Sequence, residues 1–528
     1  MRAFARLLES LVFTPGRNAK LAHLVAYFRT IPDPDRGWAL AALAGTLDLP
    51  SVTPSRIRKL VEDRVDPVLF GLSYDYVGDL AETVALIWPT DGGDAPPTLA
   101  EVIDDLRGAS TARAGTLIAE LCDRMGPAER LALIKLTTGG LRVGVSGRLV
   151  RTALAQMAEA HEGRAIERIE ELWFGLSPPY TDLFQWLDGG AAPSVDLSLA
   201  FRPVMLANPL EEERLSDMPP GDYLAEWKWD GIRIQACSTG HERRLYTRTG
   251  DEISTAFPEV IESMSWQGTV DGELLVVRDG EVAPFADLQK RLGRKRIGPK
   301  TIAEAPAHLR LYDILHDGEV DLRPLPLVDR RAHLSKWMAA HNPLRTDMSD
   351  AVAFESWAEL TAIRAGARDA GQEGLMLKRR DAPYTGGRAM GPWFKWKRDP
   401  LSADCVLIYA QRGHGKRSSF YSDYTFAAWR EGADGAELVP VGKAYSGYTD
   451  EELLVLDKWI RTHTTDRFGP VRAVAPEVVL EVAFDAVQRS TRHKSGIAMR
   501  FPRIKRIRWD KPAEEADRLG TLEAMITA

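Results

Sequence analysis

Apolar positions in the first two hundred residues recur at helical spacing. Leu21, Leu24, Val25 and Phe28 fall at i, i+3, i+4 and i+7, and Leu117, Ile118, Leu121, Cys122 and Met125 repeat the interval, so both stretches predict helices with one buried face. A turn-rich segment, residues 89–98, separates them. Ser177-Pro178-Pro179 and then Gly189-Gly190-Ala191-Ala192-Pro193 combine helix breakers with small residues and place a boundary near residue 195. From about residue 222 the period shortens to two, as in Tyr223, Ala225, Trp227 and Ile232, Ile234, Ala236, which predicts strands. Further runs at Leu274–Val277, Leu309–Tyr312 and Leu375–Leu377 alternate with helical patterns over 326–340 and 351–370. After Pro400 short β-like runs dominate, among them Val406–Tyr409, Thr425–Trp429 and Val478–Val482, and they suggest a small closed barrel. The expected architecture is an all-α N-terminal domain over 1–198, an α+β domain over 199–399 and a β-barrel over 400–528.

The chain of 528 residues is long enough for about three domains. With 45% hydrophobic and 27% charged residues, each can bury a core without disulfides. Cys122, Cys237 and Cys405 are far apart and never paired as Cys-x-x-Cys, which excludes a disulfide framework and a cysteine-rich zinc cluster. Glu9 interrupts the apolar N-terminal run and no small-residue cleavage site follows, so a signal peptide and a membrane span are not expected, and a reducing cytoplasm is. The net charge of -7 argues against coating nucleic acid by bulk charge, although local basic surfaces can still grip phosphates.

The most informative short string is Glu226-Trp227-Lys228-Trp229-Asp230-Gly231-Ile232-Arg233, a lysine at the end of an expected strand before an Asp-Gly turn. Lysine attacks only when neutral, and apolar walls such as Trp227 and Trp229 or neighbouring cations favour that form. The bland alternative is a hairpin. An ordered series downstream shifts the balance: Arg248 and Gly250 in a polar turn, Asp271-Gly272-Glu273, Tyr312-Asp313, then Glu373-Gly374-Leu375-Met376-Leu377-Lys378 and Trp393-Phe394-Lys395-Trp396-Lys397. Glu273 and Glu373 suit Mg²⁺, a hard cation that takes oxygen ligands. Lys395 and Lys397, at alternate strand positions, project from one face, where they neutralise phosphate charge or merely form an edge strand's solvent side. Together the set fits nucleotidyl transfer from a nucleoside triphosphate, with lysine attacking the α-phosphate.

The ordered strings KWDGIR, TRTG, DGE, LYDIL, EGLMLK and WFKWK, followed near the C-terminus by RFPRIKRIRWDK, resemble the nucleotidyltransferase motifs of ATP-dependent DNA ligases. Residues 139–155, GGLRVGVSGRLVRTALA, are similar to the end of the helical DNA-binding domain of the larger ligases, so the resemblance covers essentially the whole chain. It looks most like the bacterial three-domain type. That resemblance implies an ATP-grasp-like ligase core followed by an OB-fold, ATP as substrate, Mg²⁺ with Mn²⁺ as a substitute, and a nick in duplex DNA as the target. It also implies roles. Lys228 becomes linked to AMP; Glu226 and Arg233 contact adenine and ribose or phosphate; Arg248 and Glu273 serve nucleotide and metal; Tyr312 stacks on adenine. Glu373 supports the metal, Lys378, Lys395 and Lys397 contact phosphates, and Arg503, Asp510 and Lys511 orient the leaving pyrophosphate. A monomer in the cytoplasm, associated with the nucleoid and acting in repair beside a helicase and a nuclease, is the expected setting.

DNA contacts are expected from local charge. Lys290, Arg291, Arg294, Lys295, Arg296 and Lys300 crowd one segment, Arg489, Arg492 and Lys494 lead into a second basic run, and Arg142, Arg148 and Arg151 flank a Gly-rich turn. Each run could equally be a solvated face. Gly413-His414-Gly415-Lys416-Arg417 only resembles a phosphate loop, because position 410 is alanine and Arg417 stands where Ser or Thr is needed. The rival functions are an RNA ligase or GTP-using capping enzyme, which the large helical region disfavours; an NAD-dependent ligase, which the missing zinc cluster disfavours; and a nick-binding scaffold with a decayed site.

Overall fold

The helical periodicity folds as its spacing requires. In the computed structural model, which describes all residues except 51, 91, 94, 196, 293–296, 369–370, 414–418, 433–434, 492 and 527–528, Leu21, Leu24 and Phe28 turn inward from helix Arg17–Thr30. Ile118, Leu121 and Cys122 do the same from helix Thr111–Asp123. Helices run from Arg2–Phe13 to Thr181–Leu187 and enclose one apolar core containing Phe4, Leu24, Phe28, Trp38, Leu133 and Phe184. Local chemistry sets their ends: Thr98 and Glu101 form a reciprocal capping box at helix Leu99–Arg107, which satisfies two otherwise orphaned donors. No helix among the described residues is long and apolar enough to cross a membrane.

Beyond residue 200 two sheets face each other. One has the order Asn208–Pro209, Trp393–Lys397, Gly374–Arg379, Tyr223–Trp227, Ala351–Val352, and the other the order Arg243–Thr247, Ile232–Thr239, Gln267–Arg278, Ala307–Asp317, Val320–Asp321. The turn 228–231 carries the chain from the first sheet to the second. Its Gly231 is needed because a Cβ there would lie 2.5 Å from the Leu274 carbonyl oxygen. Helix Leu327–His341 matches its expected span. The helix expected over 351–370 is shorter, Trp357–Ala365: Ala351 and Val352 pair instead with Glu226 and Ala225, and Ser356 caps the helix by accepting from the Glu359 N–H at 3.3 Å.

After Pro400 the chain forms a seven-stranded sheet in which the long strand Leu401–Arg412 pairs with Tyr421–Gly432 on one side and with Val479–Phe484 and Val471–Val474 on the other. Register shifts at Leu407 to Tyr409 bend that strand, as the wall of an OB-type barrel requires. Helix Asp450–Thr462 packs on the sheet through Leu453, Leu456 and Ile460.

Candidate active site

Lys228 leaves the end of strand Tyr223–Trp227, and its backbone is tied to the neighbouring strand: its N–H donates to Gly374 at 2.8 Å and its carbonyl accepts from Glu373 at 3.0 Å. The close approach depends on Gly374, at φ 134°, where a Cβ would meet the Trp396 carbonyl oxygen at 2.3 Å. This backbone pairing brings the Lys228 Nζ into an ion pair with the Glu373 carboxylate. Burial pushes Glu373 up, but Lys228 and Lys397, with Arg500 behind them, outweigh it and hold the carboxyl below its ordinary range. Lys397 lies 3.6 Å from Glu373.

The second wall comes from across the seam with the C-terminal sheet. Lys397 donates to Asp485 at 3.0 Å, Arg503 lies 3.6 Å from the same carboxylate, and Arg500 grips Asp230 of the Lys-x-Asp-Gly turn while standing 3.8 Å from Glu373. Asp230 and Arg500 lie within the strings KWDGIR and RFPRIKRIRWDK but were given no role there, and Asp485 had no distinguishing signal, because each lies far along the chain from the groups it meets. A cavity of about 590 Å³ opens along this seam, lined by Lys395, Lys397, Arg364, Asp485, Phe501 and Arg503 among others.

Glu273 lies on strand Gln267–Arg278, opposite Arg233. Burial pushes its carboxyl up to about 8, against the pull of Lys228 and Arg233 and with the charges of Glu373 and Asp271 adding to the rise. Among the described residues its carboxyl accepts no hydrogen bond, and no three His, Cys, Asp or Glu converge as a ready-made metal cluster. Two carboxylates beside each other, Glu373 on Lys228 and Glu273 accepting no hydrogen bond among the described residues, are oxygen donors of the kind Mg²⁺ takes when substrate phosphates and water complete its shell, so Glu273 and Glu373 fit such a cation.

Beneath this layer the remaining predicted residues lock into one another. Arg233 forms a bidentate pair with Asp271 at 3.1 and 2.6 Å and donates to the Met205 carbonyl at 2.6 Å. Glu226 is held between Arg331 and Lys378. Lys378 is 1% exposed, with its Nζ 4.1 Å from the centre of the Tyr312 ring and 4.5 Å from that of Trp393. Burial lowers its pKa, although Glu226 opposes the shift. Expected to contact phosphate, Lys378 instead lies in the floor of the site, against Glu226 and the rings of Tyr312 and Trp393.

Other expected residues lie elsewhere. Arg248 is exposed in its turn, near enough to Lys395 for their charges to repel. Asp510 and Lys511 lie past the far end of strand Arg503–Arg508, roughly 16 Å along from Arg503 at about 3.3 Å per residue, where Asp510 pairs with Arg508 and Lys511 with Asp404. They do not join the site. Arg291 does not belong to a basic surface either. It is fully buried, bidentate with Glu259 and 4.5 Å from the Phe257 ring centre. Lys290 is exposed and paired with Asp287 at 2.7 Å, Arg489 and Arg142 are exposed, and Arg148 lies 3.5 Å from Glu170. Arg294, Lys295, Arg296 and Arg492 lie outside the described residues, as does most of the phosphate-loop look-alike.

Comparison with known proteins agrees with this arrangement. Residues 1–155 match the family described as DNA ligase N terminus, residues 204–397 the ATP dependent DNA ligase domain, and residues 417–511 the ATP dependent DNA ligase C terminal region. The chain is 32% identical to the "Probable DNA ligase" of Koribacter versatilis, over 99% of this chain and 96% of that protein. It is also 32% identical to the "Probable DNA ligase" of an Anaeromyxobacter species, over 92% and 98%. A solved structure named "Pmar-Lig_PreS3" shares the fold across 96% of this chain and 99% of its own, with a TM-score of 0.63 at 16% identity.

Proposed function

The chain belongs to the ATP-dependent DNA ligase family, and from that premise we propose that Lys228 is the residue that carries AMP. As a member, it seals nicks in DNA through an adenylate intermediate. The observation that supports Lys228 is its fixed position at a strand end, with its Nζ on Glu373 and the cations Lys395 and Lys397 facing the same space.

In the first step the Lys228 Nζ attacks the α-phosphorus of ATP; the N–P bond forms, the α–β P–O bond breaks, and pyrophosphate leaves with the electron pair. Glu373 is the nearest acceptor for the proton that Lys228 must shed. Next, an oxygen of the 5′-phosphate displaces the lysine from phosphorus, giving DNA-adenylate. The 3′-hydroxyl then attacks that 5′-phosphate, AMP leaves and the phosphodiester closes. Glu226 and Tyr312 serve the adenine, Arg233 and Arg248 the ribose and phosphate, and Lys395, Lys397 and Arg503 the phosphates. Glu273 and Glu373 would hold the divalent cation, which when bound adds positive charge to the phosphates.

Division at 1–198, 199–399 and 400–528 gives three bodies able to hold a duplex together. The working unit is a monomer in the cytoplasm acting on nicked duplex DNA, with a repair helicase and nuclease as partners. The test is to incubate the chain, freed of prebound AMP, with Mg²⁺ and ATP, GTP or NAD, and to measure intact mass with peptide mapping. An AMP adduct on Lys228 with ATP alone is expected. No adduct, or one on another lysine, sinks the assignment.

A further inference from the structure

Arg248 stands at the mouth of the site without an anchor of its own. Among the described residues its side chain meets no carboxylate and makes no hydrogen bond, yet it lies close enough to Lys395 for their charges to repel. Its placement therefore depends on the turn that carries it. That turn is closed by its own backbone: the Gly250 N–H donates to the Thr247 carbonyl at 2.9 Å, and the Thr247 N–H to the Asp251 carbonyl at 2.9 Å. Bonds within a turn fix its shape, not the direction in which it points.

What touches the turn from outside is an aromatic ring of the helical region. A Cβ on Gly250, at φ 88°, would stand 2.2 Å from the Phe174 ring, so ring and turn backbone are in close contact and only glycine fits there. Phe174 follows helix Ile166–Trp173, whose Ile169, Leu172 and Trp173 are buried in the helical core. Trp173 stacks on Tyr180 with ring centres 4.8 Å apart, which sets the base from which Phe174 projects. The aromatic contacts then continue into the catalytic region. Phe174 meets Phe201 edge to face at 4.6 Å, and Phe201 meets Tyr246 in the same way at 5.9 Å. Tyr246 lies on strand Arg243–Thr247, which leads directly into Arg248, and its hydroxyl donates to the Leu199 carbonyl at 2.8 Å. Phe174 and Phe201 thus hold both the turn and the strand that feeds it, and rings packed edge to face keep a defined geometry.

We propose that Phe174 is a positioning residue, supplied by the helical region, that holds the turn 247–251 so that Arg248 points towards Lys395. The proposal rests on the reading of Arg248 as a contact to ribose and phosphate. On that reading the helical region does more than hold a duplex: it sets the direction of one cation in the active site. An exposed, unpaired arginine loses rotamer freedom when it meets a ligand, and a firm turn beneath it keeps the total ordering cost small. Removing the ring leaves the Arg248 guanidinium intact but frees its turn to point elsewhere, so the loss falls on the reaction.

The test is a double-mutant cycle in the full chain, with Phe174→Ala, Arg248→Ala and the two combined. Single-turnover rates are measured for Lys228-AMP formation from ATP and for AMP transfer from the preformed adenylate to a 5′-phosphorylated nick. Phe174→Ala is expected to slow whichever step Arg248→Ala slows, by roughly threefold or more, and to add nothing once Arg248 is gone, as residues acting through one contact do. Phe174→Leu, which keeps an apolar body against Gly250, should recover part of the rate. Arg323→Ala cuts the neighbouring 3.2 Å pair with Glu171 and leaves the ring in place, and it should stay near the wild-type rate in that step. Unchanged rates in Phe174→Ala overturn the proposal. So does a loss that multiplies with that of Arg248→Ala, or one that Arg323→Ala shares in full, since either would make the ring a plain contact between regions. If Arg248→Ala runs at the wild-type rate in both steps, Arg248 has no part in the reaction and the proposal falls with that reading. A wild-type chain that forms no Lys228-AMP is a separate failure, which sinks the nucleophile assignment and this proposal with it.

Discussion

Lys378 and Lys395 stand on neighbouring antiparallel strands and have opposite environments. Lys378 is sealed under two aromatic rings and bound to Glu226; Lys395 is half-buried, with no carboxylate and with cations for neighbours. The same contrast separates the floor of the site from its mouth. In the floor, Arg330 with Asp313, Arg233 with Asp271, and Arg331 with Glu226 are closed pairs whose strength comes from geometry and low dielectric. At the mouth the charges are left open. A buried pair resists change because removing one partner strands the other, whereas an unpaired cation near solvent strands nothing and is free to serve a ligand.

The contrast can be broken or sharpened in several ways. The largest effect should come from Lys228→Ala, which is expected to abolish the protein-AMP adduct while leaving the thermal midpoint near that of the parent; an adduct that persists would relocate the nucleophile. Next, Lys378→Met should destabilise the catalytic region by roughly 1–3 kcal/mol, the scale of one charged hydrogen bond lost from a buried carboxylate that keeps Arg331. Lys395→Met should leave the urea midpoint unchanged or slightly raised and instead slow adenylyl transfer. Equal urea midpoints for the two variants would erase the distinction between floor and mouth.

A smaller effect tests the basic segment near residue 290. Lys290→Ala should lower the slope of log affinity against log salt for DNA by about one, the value for one phosphate contact. Arg291→Ala should leave that slope alone and lower the unfolding midpoint, since its guanidinium is tied to Glu259 inside the protein. A reversed result would place Arg291 on the DNA.

The smallest effect concerns His316, which burial, with Arg202 close by, pushes down to about 4. Its unfolded value is about 6.5, so the unfolded chain takes up the proton first. Stability should be full above pH 6.5 and fall as pH drops from there towards 4. His316→Gln should flatten that part of the midpoint-against-pH curve; an unchanged curve would assign the acid sensitivity to other groups.

Much of the architecture was legible because period and breakers are local. The helical face of Leu21, Leu24 and Phe28, the strand Tyr223–Trp227 and the turn at Asp230-Gly231 follow from neighbours a few residues apart. The helix expected over 351–370 failed at its start because the partner of Ala351 and Val352 lies more than a hundred residues upstream, a pairing no local propensity encodes. Charge was hardest to interpret. Arg291 looked like part of a basic patch, and Asp510 and Lys511 like part of the site, because a run of letters does not say which residues the fold buries or carries to the far end of a strand.

The sequence by itself determined the order of helical, α+β and β-rich regions and the nucleophile candidate, since hydrophobic period, turn residues and motif spacing are written along the chain. Only the tertiary structure decided which charges are paired. The clasp of Arg500 on Asp230, the burial of Lys378 on Glu226 and the open cations Arg248 and Lys395 depend on distances between segments up to 270 positions apart. The physical reason is that the state of an ionisable group is set by what surrounds it in space, and those surroundings are assembled from strands and loops that the chain brings together only on folding.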